Sequence, residues 1–208
     1  MQRILISDDH SMLAMMFKIW FQQTGVNATV VAMPSTGKAT LQAIREHQPD
    51  IIFQDMMLRD MAGSEIIGAV RKEFPDMRIF AMSAKPSLAK MALQVGADGS
   101  MLKEDHPNVI REALSWDITK GKWVSPLLQS KMLMAAAEMR KYDFTPGEIN
   151  ALSLAELSNV EIASMLNLSD GTVRNIFTIL YNKTGIRIRS ELAQWAQNTL
   201  LLGEVHDD

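Results

Sequence analysis

Over the first 120 residues of this 208-residue chain, short strand-like runs and helical stretches alternate five times. The strand-like runs lie at 3–7, 28–32, 51–54, 78–82 and 99–102, and the helical stretches at 11–23, 35–46, 63–74, 86–95 and 107–119. Strands that alternate with helices form parallel sheets through right-handed crossovers, and continuous apolar runs are typical of strands covered on both faces. The pattern predicts an α/β domain over residues 1–120 with a five-stranded, doubly wound parallel sheet.

The strand signals stop after Gly121. Residues 121–143 are rich in helix formers and predict a helical linker, with Pro126 near its first turn, where a missing N–H costs least. Four short helical segments follow at 146–156, 159–166, 170–184 and 189–202. Thr145 and Glu148 have the spacing of a capping box, and Ser169 offers a further N-cap. Residues 144–208 are therefore predicted to form a small all-α domain.

Composition and charge exclude several classes of protein. The chain has no cysteine, which rules out a disulfide scaffold, a thiolate metal site and a cysteine nucleophile, and suits a reducing cytosol. We expect no signal peptide and no membrane span, hence a cytoplasmic location. Residues 1–142 carry 17 Lys/Arg and 15 Asp/Glu, whereas residues 143–208 carry 4 and 9. Any contact with nucleic acid must therefore come from a local patch.

Polar side chains stand where the predicted strands end. Asp8 and Asp9 follow the first strand and Asp55 the third, while Ser83 and Lys103 follow the fourth and fifth. In an open parallel sheet, ligands bind beyond the carboxyl ends of the strands, where the strand order reverses. Three converging carboxylates need a cation, and hard oxygen ligands favour Mg²⁺. A hydroxyl and an ammonium opposite them suit an anion with three oxygens, so the cluster predicts phosphoryl transfer.

A simpler reading of the same residues is also open. Acidic residues at strand ends are common as solubilising loop residues, although five suitable positions together favour a site. His10 stands beside the first pair of acids, but a histidine there is more often a surface or capping residue than a metal ligand.

The set Asp8-Asp9, Asp55, Ser83 and Lys103, with Met-Leu-Lys closing the fifth strand, resembles the receiver domain of two-component response regulators, a flavodoxin-like fold. The resemblance implies that Asp55 accepts a phosphoryl group from a histidine kinase or phosphotransfer protein. The metal ligands it implies for Mg²⁺ are Asp8, Asp9, Asp55 and the backbone carbonyl of Met57. It also implies that Ser83 and Lys103 sense the phosphoryl group. Ser100 stands where many receivers carry Tyr or Phe, so we do not expect switching by aromatic rotation.

The segment from Glu161 to Asn175 has the shape of a helix-turn-helix, in which a short apolar helix precedes a polar turn and a longer helix. On a helical wheel its second helix has a buried stripe of Val173, Ile176, Phe177 and Leu180. The opposite face carries Arg174, Asn175, Thr178 and Asn182, side chains that can reach base edges or phosphates in a major groove. Lys183, Arg187 and Arg189 follow at the far end, where we expect them to pair with phosphates.

The runs FTPGE at 144–148, SNVEIASMLNLSDGTVRN at 158–175 and KTGIRIR at 183–189 resemble the LuxR-type helix-turn-helix. With the receiver, they make the chain similar to response regulators of the NarL/FixJ class. That resemblance implies phosphorylation-regulated control of transcription on promoter DNA, with a homodimer as the phosphorylated form. The acidic balance of this domain weakens nonspecific attraction to DNA.

Several alternatives remain at this point. The last helix, with Leu192, Trp195, Ala196 and Thr199, can form a dimer seam or pack on its own domain. One rival function is an aspartyl-phosphate phosphatase, but the Asp-x-Asp loop and substrate cap of such enzymes are not visible, so we expect no enzyme. The other rival is a phosphorylation-switched protein–protein adaptor whose helix-turn-helix has weak or no DNA binding.

Overall fold

The computed structural model describes residues 1–203, apart from the side chains of residues 13, 14 and 200–203. The chain divides into two compact units, of which the first is Met1–Gln129 and the second begins at Ser130. The first unit thus extends past the predicted boundary at residue 120, and the predicted linker of 121–143 is divided between the units. Within residues 1–203, no helix combines the length and apolar character needed to cross a membrane.

The first unit is a parallel α/β sheet. Its strands are β1 Gln2–Ser7, β2 Ala28–Ala32, β3 Ile51–Asp55, β4 Arg78–Ser83, β5 Gly99–Leu102 and β6 Trp123–Val124. Its helices are α1 Ser11–Gln23, α2 Gly37–His47, α3 Gly63–Glu73, α4 Pro86–Gln94 and α5 Val109–Ser115, with a 3₁₀ turn at Ile118–Lys120. The strand order is β2-β1-β3-β4-β5-β6, and every pairing is parallel. The doubly wound sheet is therefore confirmed, and it has six strands rather than five.

The additional strand β6 lies inside the segment predicted as a linker. Trp123 and Val124 pair with Gly99 and Ser100 of β5, and the Trp123 ring packs edge-on against Phe80, with 5.9 Å between ring centroids. Two residues are too few to show an alternating or continuous apolar pattern, which is why the sequence gives no strand signal here. Helix α6, Pro126–Met139, follows directly.

Helices cover both faces of the sheet. Alternate strand residues point to opposite faces, so Ile4 and Ile6 join one core cluster while Leu5 joins the other. The first cluster holds residues of α1 and α5, including Phe17 and Ile110, and the second holds residues of α2, α3 and α4. This double burial explains why the strand sequences read as continuous apolar runs.

Gly63, the first residue of α3, packs against the backbone next to Asp55. A Cβ at Gly63 would lie 2.5 Å from the Cα of Met56 and 2.6 Å from the carbonyl oxygen of Asp55. We expect Gly63→Ala to lower the free energy of unfolding by about 1–3 kcal/mol, because the backbone must move apart.

Gly68 is the matched control for this prediction, since it lies in the same helix with nothing within 4 Å of an added Cβ. Gly68→Ala should raise the free energy of unfolding by up to about 1 kcal/mol through helix propensity. Urea unfolding followed by circular dichroism measures both effects. Equal stability of the two variants would show that the close approach at Gly63 is not a constraint.

The second unit contains four helices after α6: α7 Pro146–Ser153, α8 Asn159–Leu166, α9 Asp170–Thr184 and α10 Arg189–Gly203. Capping boxes begin α7, where Thr145 and Glu148 exchange hydrogen bonds, and α8, where Ser158 and Glu161 do so. The turn between α8 and α9 contains Asn167 in the left-handed region with φ 56°, and the Ser169 hydroxyl then caps α9. The predicted helix-turn-helix is thus present.

The residues considered for a dimer seam on α10 pack inside their own unit. Leu192 and Ala196 are buried in its core, and Thr199 is buried as well. Trp195 is half-buried and packs against the rings of Tyr142 and Phe144, with centroids 5.5 and 6.2 Å away. Three of the four side chains are thus buried and the fourth is half-buried, which favours packing on the same domain, and a dimer seam at these residues stays a prediction.

Candidate functional site

The strand register brings the predicted acidic residues to one edge of the sheet. Ser7 of β1 pairs with Gln54 of β3, and Asp55 pairs with Met82 of β4. The order of the strands reverses between β1 and β3, where parallel sheets form a ligand crevice. Ligand atoms of Asp8, Asp9, His10 and Asp55 all lie within 4.8 Å of one another in this crevice. The predicted convergence of the three carboxylates is therefore what the structure shows.

The Lys103 ammonium lies among these carboxylates. Its Nζ is 2.7 Å from Asp55 Oδ2 and 2.9 Å from Asp8 Oδ2. Burial raises the pKa of Asp55 above its usual value, and the hydrogen bond from Lys103 only partly opposes that effect. Burial alone would lower the pKa of Lys103, but the hydrogen bonds and charges of Asp55 and Asp8 outweigh it, so this pKa is raised. The lysine is held as the cation that balances two buried acids.

The loop after β3 shapes the surroundings of Asp55. The backbone N–H of Met57 donates to Asp55 Oδ1 at 3.1 Å, and Gln54 Nε2 donates to the Asp55 carbonyl at 2.8 Å. The Met57 side chain is half-exposed. A cleft of about 360 Å³, lined by residues that include Asp9, Asp55, Met57 and Lys103, opens beside the carboxylate. There is room here for an incoming anion.

Ser83 and Lys103 are neighbours at the ends of β4 and β5. The Lys103 N–H donates to the Ser83 carbonyl at 2.9 Å, while the buried Ser83 hydroxyl accepts from the N–H of Lys85 at 3.0 Å. Ser100, further back on β5, is fully buried, and its hydroxyl has no hydrogen-bond partner among the described residues. Ser100 thus places a small, buried side chain at the position where many receivers carry an aromatic ring.

The donor set fits a divalent cation. Asp8 Oδ2 and Asp9 Oδ1 are buried, and neither receives a well-aligned hydrogen bond within the described part of the chain, although Lys103 Nζ lies 2.9 Å from the first and His10 Nδ1 3.0 Å from the second. Buried acceptors of this kind are costly unless a cation or donor meets them. Carboxylate oxygens and a backbone carbonyl are ligands that Mg²⁺ prefers.

Two residues at this edge were not singled out for the site from the sequence. His10 is 69% exposed, as expected of a surface residue, yet its Nδ1 lies 3.1 Å from Asp8 Oδ1 and 3.0 Å from Asp9 Oδ1. Arg59 is more exposed still and places Nε 3.3 Å from Asp9 Oδ2. Sequence adjacency to Asp9 was the available signal for the histidine. For the arginine, only the folded loop shows the contact.

Helix α9 of the second unit presents the predicted polar face. Val173, Phe177 and Leu180 are buried, while the side chains of Arg174, Asn175, Thr178 and Asn182 are exposed on the other side. Arg174 forms an ion pair with Asp170 one turn earlier. Arg187 is exposed and donates to Asn182 Oδ1 at 3.2 Å. These five side chains remain accessible for a ligand of this unit.

Lys183 and Arg189 are instead engaged inside the unit. Lys183 Nζ lies 2.8 Å from Glu148 Oε2 and also donates to the carbonyl of Asp143. The Arg189 guanidinium donates to the carbonyls of Ala155 and Leu157 at 2.7 and 3.0 Å and stacks 3.2 Å above the ring of Phe177. Both cations thus have partners inside the unit, and pairing of these two residues with phosphates stays a prediction.

A family profile for the response regulator receiver domain matches residues 4–115, and the chain belongs to this family. The uncharacterized transcriptional regulatory protein YhcZ of Bacillus subtilis is 27% identical over 212 residues, covering 98% of this chain and 99% of YhcZ. The nitrate/nitrite response regulator protein NarL of Escherichia coli is 28% identical over 202 residues, covering 92% of this chain and 93% of NarL.

Among solved structures, RcsB from Salmonella enterica serovar Typhimurium, bound to the promoter rprA in the presence of the phosphomimetic BeF3−, matches with a TM-score of 0.67 at 21% identity. The match covers 95% of this chain and 99% of RcsB. These similarities confirm the predicted class, a response regulator of the NarL type with a receiver followed by a helical unit. They also confirm the expectation of a regulator rather than an enzyme.

Proposed function

We propose that this chain is a cytoplasmic response regulator that accepts a phosphoryl group on Asp55 and controls transcription through DNA binding by α9. The donor is the phosphohistidine of a histidine kinase or of a phosphotransfer protein. The observation that carries the proposal is the Lys103 ammonium, 2.7 Å from Asp55 Oδ2, within a cluster of three carboxylates. An acidic pocket with its own partly buried cation is arranged to receive a further, more negative group.

In the transfer step, a carboxylate oxygen of Asp55 forms the new P–O bond. The P–N bond of the phosphohistidine breaks, and its electron pair stays on the departing imidazole. Lys103 neutralises one phosphoryl oxygen from its present position beside the carboxylate. The Ser83 hydroxyl, buried at the end of β4, donates to another. The chain positions these groups and balances charge, with little covalent work of its own.

The metal-binding residues in this proposal are Asp8, Asp9, Asp55 and the backbone carbonyl of Met57. Mg²⁺ bound there supplies positive charge against the oxygens of the transferred group. Their fit rests on the buried oxygens of Asp8 and Asp9, to which no described residue gives a well-aligned hydrogen bond, and on the convergence of the three carboxylates. Phosphorylation then adds charge at the junction of β4 and β5, where Ser83 and Lys103 are joined through the backbone.

The proposed DNA contacts are made by the exposed side chains of Arg174, Asn175, Thr178, Asn182 and Arg187. The related regulator RcsB is bound to a promoter in its solved structure, and we extend that role to this chain. Because Lys183 and Arg189 are engaged internally, Arg174 and Arg187 are the two cations left on this face. Two copies on paired half-sites double this number, which favours a homodimer as the binding form.

A DNA-binding measurement tests the proposal. Duplexes are first selected from a random-sequence pool with the phosphorylated chain. The phosphorylated chain should bind the selected duplexes at least about tenfold more tightly than the unphosphorylated chain does. About four phosphate contacts per dimer correspond to a loss of about a hundredfold in affinity between 50 and 200 mM salt. Fluorescence anisotropy at the two salt concentrations measures both effects.

Asp55→Asn is the control for the phosphorylation dependence, and it should bind like the unphosphorylated chain under all conditions. If no duplex is enriched by the phosphorylated chain at low salt, transcription control through DNA is excluded. The adaptor function would then explain the helical unit better.

A further inference from the structure

His10 belongs to the acidic cluster but has no role in the proposed phosphoryl transfer. Its Nδ1 lies 3.1 Å from Asp8 Oδ1, 3.0 Å from Asp9 Oδ1 and 3.3 Å from the Nζ of Lys103. The ring is otherwise largely exposed, so the histidine contributes nothing to the hydrophobic core. Its one close set of contacts is with the charged groups of the site.

Nδ1 cannot satisfy these three neighbours at once. An imidazole nitrogen either carries a proton and donates, or offers a lone pair and accepts. With a proton, Nδ1 donates to a carboxylate but points positive charge at Lys103, whose ammonium has no lone pair to accept with. Without a proton, it accepts from Lys103 while its lone pair faces two carboxylate oxygens. A divalent cation among these groups attracts the lone pair and both carboxylates together.

The separations suit a common coordination shell. Octahedral bonds of about 2.1 Å place neighbouring ligand atoms about 3.0 Å apart and opposite ones about 4.2 Å apart. The distances of 3.0 and 3.1 Å from Nδ1 to the oxygens of Asp9 and Asp8 match the shorter of these separations. Ligand atoms of all four residues lie within 4.8 Å of one another, so small shifts allow them to share one ion.

A second observation points to a ligand at the same place. Asp8 Oδ2 and Asp9 Oδ1 are buried, and no described residue gives either a well-aligned hydrogen bond, although Lys103 Nζ lies 2.9 Å from the first and His10 Nδ1 3.0 Å from the second. The Lys103 ammonium already contacts Asp8, Asp55 and His10 together. His10 Nδ1 therefore lies at the edge of the carboxylate cluster, next to the oxygens that a bound cation would contact, while Lys103 keeps its place beside Asp55.

We propose that His10 is a nitrogen ligand of the cation site and makes it prefer divalent first-row transition ions over Mg²⁺. Imidazole binds ions such as Co²⁺ and Ni²⁺ strongly, whereas Mg²⁺ gains little from a nitrogen donor. The inference rests on the proposed function for the three carboxylate ligands. It goes beyond it by making the site sensitive to which metal is available.

Titration calorimetry of the untagged full-length chain with Co²⁺ and with Mg²⁺ tests this proposal. We expect His10→Ala to lose at least about tenfold in Co²⁺ affinity while its Mg²⁺ affinity changes by less than about threefold. The visible absorption of bound Co²⁺ should also shift when the nitrogen donor is removed. His106→Ala is the matched control, since His106 is another exposed histidine and lies outside the cluster.

Three results overturn the proposal. The first is equal Co²⁺ affinity and spectrum in the wild type and His10→Ala, and the second is a loss that is equally large for Mg²⁺. The third is an unchanged Co²⁺ affinity in Asp55→Asn, which places the ion elsewhere. His10→Gln, together with the thermal unfolding of each variant, separates ligand loss from misfolding. Failure of the proposed function has a different signature, because the wild type then binds the metals but acquires no phosphoryl group.

Discussion

Asp55→Asn removes phosphoryl acceptance completely, whereas Asp60→Asn leaves it intact. The amide at position 55 has no anionic oxygen to form the P–O bond. Asp8 also contacts the Lys103 ammonium, but Asp55 is the partner of that ammonium that lines the open cleft. Incubation with a small acyl-phosphate donor and Mg²⁺, followed by intact mass measurement, should show one phosphoryl adduct on the wild type and none on Asp55→Asn.

Asp60 is a suitable control because it is a nearby aspartate with a structural task. Its carboxylate accepts from the N–H groups of Gly37 and Lys38 at 2.7 and 3.2 Å, and these hydrogen bonds lower the pKa of Asp60. An adduct that persists in Asp55→Asn at wild-type yield would mean that another residue is the acceptor. An adduct on the wild type that forms without any divalent ion would remove the role assigned to the metal.

Arg189→Ala lowers the free energy of unfolding of the second unit by about 2–4 kcal/mol. The change leaves the carbonyls of Ala155 and Leu157 without their charged donor and removes the cation above the Phe177 ring. Hydrogen exchange of the α8 and α9 amides in the full-length chain measures this effect without interference from the first unit.

Arg187→Ala is the matched comparison, two residues away on the exposed surface. It should change the stability by less than about 0.5 kcal/mol while weakening DNA binding for all sequences alike. Arg189→Ala should weaken DNA binding only to the extent that the unit unfolds. Equal stability of the two variants would mean that the Arg189 contacts do not hold the unit together.

The sheet and the site were largely predictable from the sequence because both rest on local patterns. Strands buried on both faces leave continuous apolar runs, and parallel strands carry their following residues to one edge. For that reason Asp8, Asp9, Asp55 and Lys103 could be placed together before the fold was known. The bounds of α8 and α9 were predicted correctly as well, because Ser158 and Ser169 mark their starts.

The remaining features depend on contacts distant in sequence. Lys183 and Arg189 look like surface cations at a helix end, and only the folded unit shows Glu148 beside the first and the Phe177 ring beneath the second. The orientation of each of these two side chains depends on partners more than 30 positions earlier in the sequence. The sequence shows His10 as a single histidine. Its contacts with two carboxylates and a lysine through Nδ1 are visible only in the folded protein.

Strand β6 determines where the receiver ends as a separable piece. The hydrogen bond from the Ser125 N–H to the Ser100 carbonyl, the Trp123 ring on Phe80 and the buried Leu128 all belong to the first unit. A fragment that ends at residue 120 would lack β6, so the edge of β5 would be unpaired and one side of the Phe80 ring would be exposed to water. The first unit, with this sheet edge covered, runs to residue 129, so a fragment made to separate the two proposed activities should include at least Met1–Gln129.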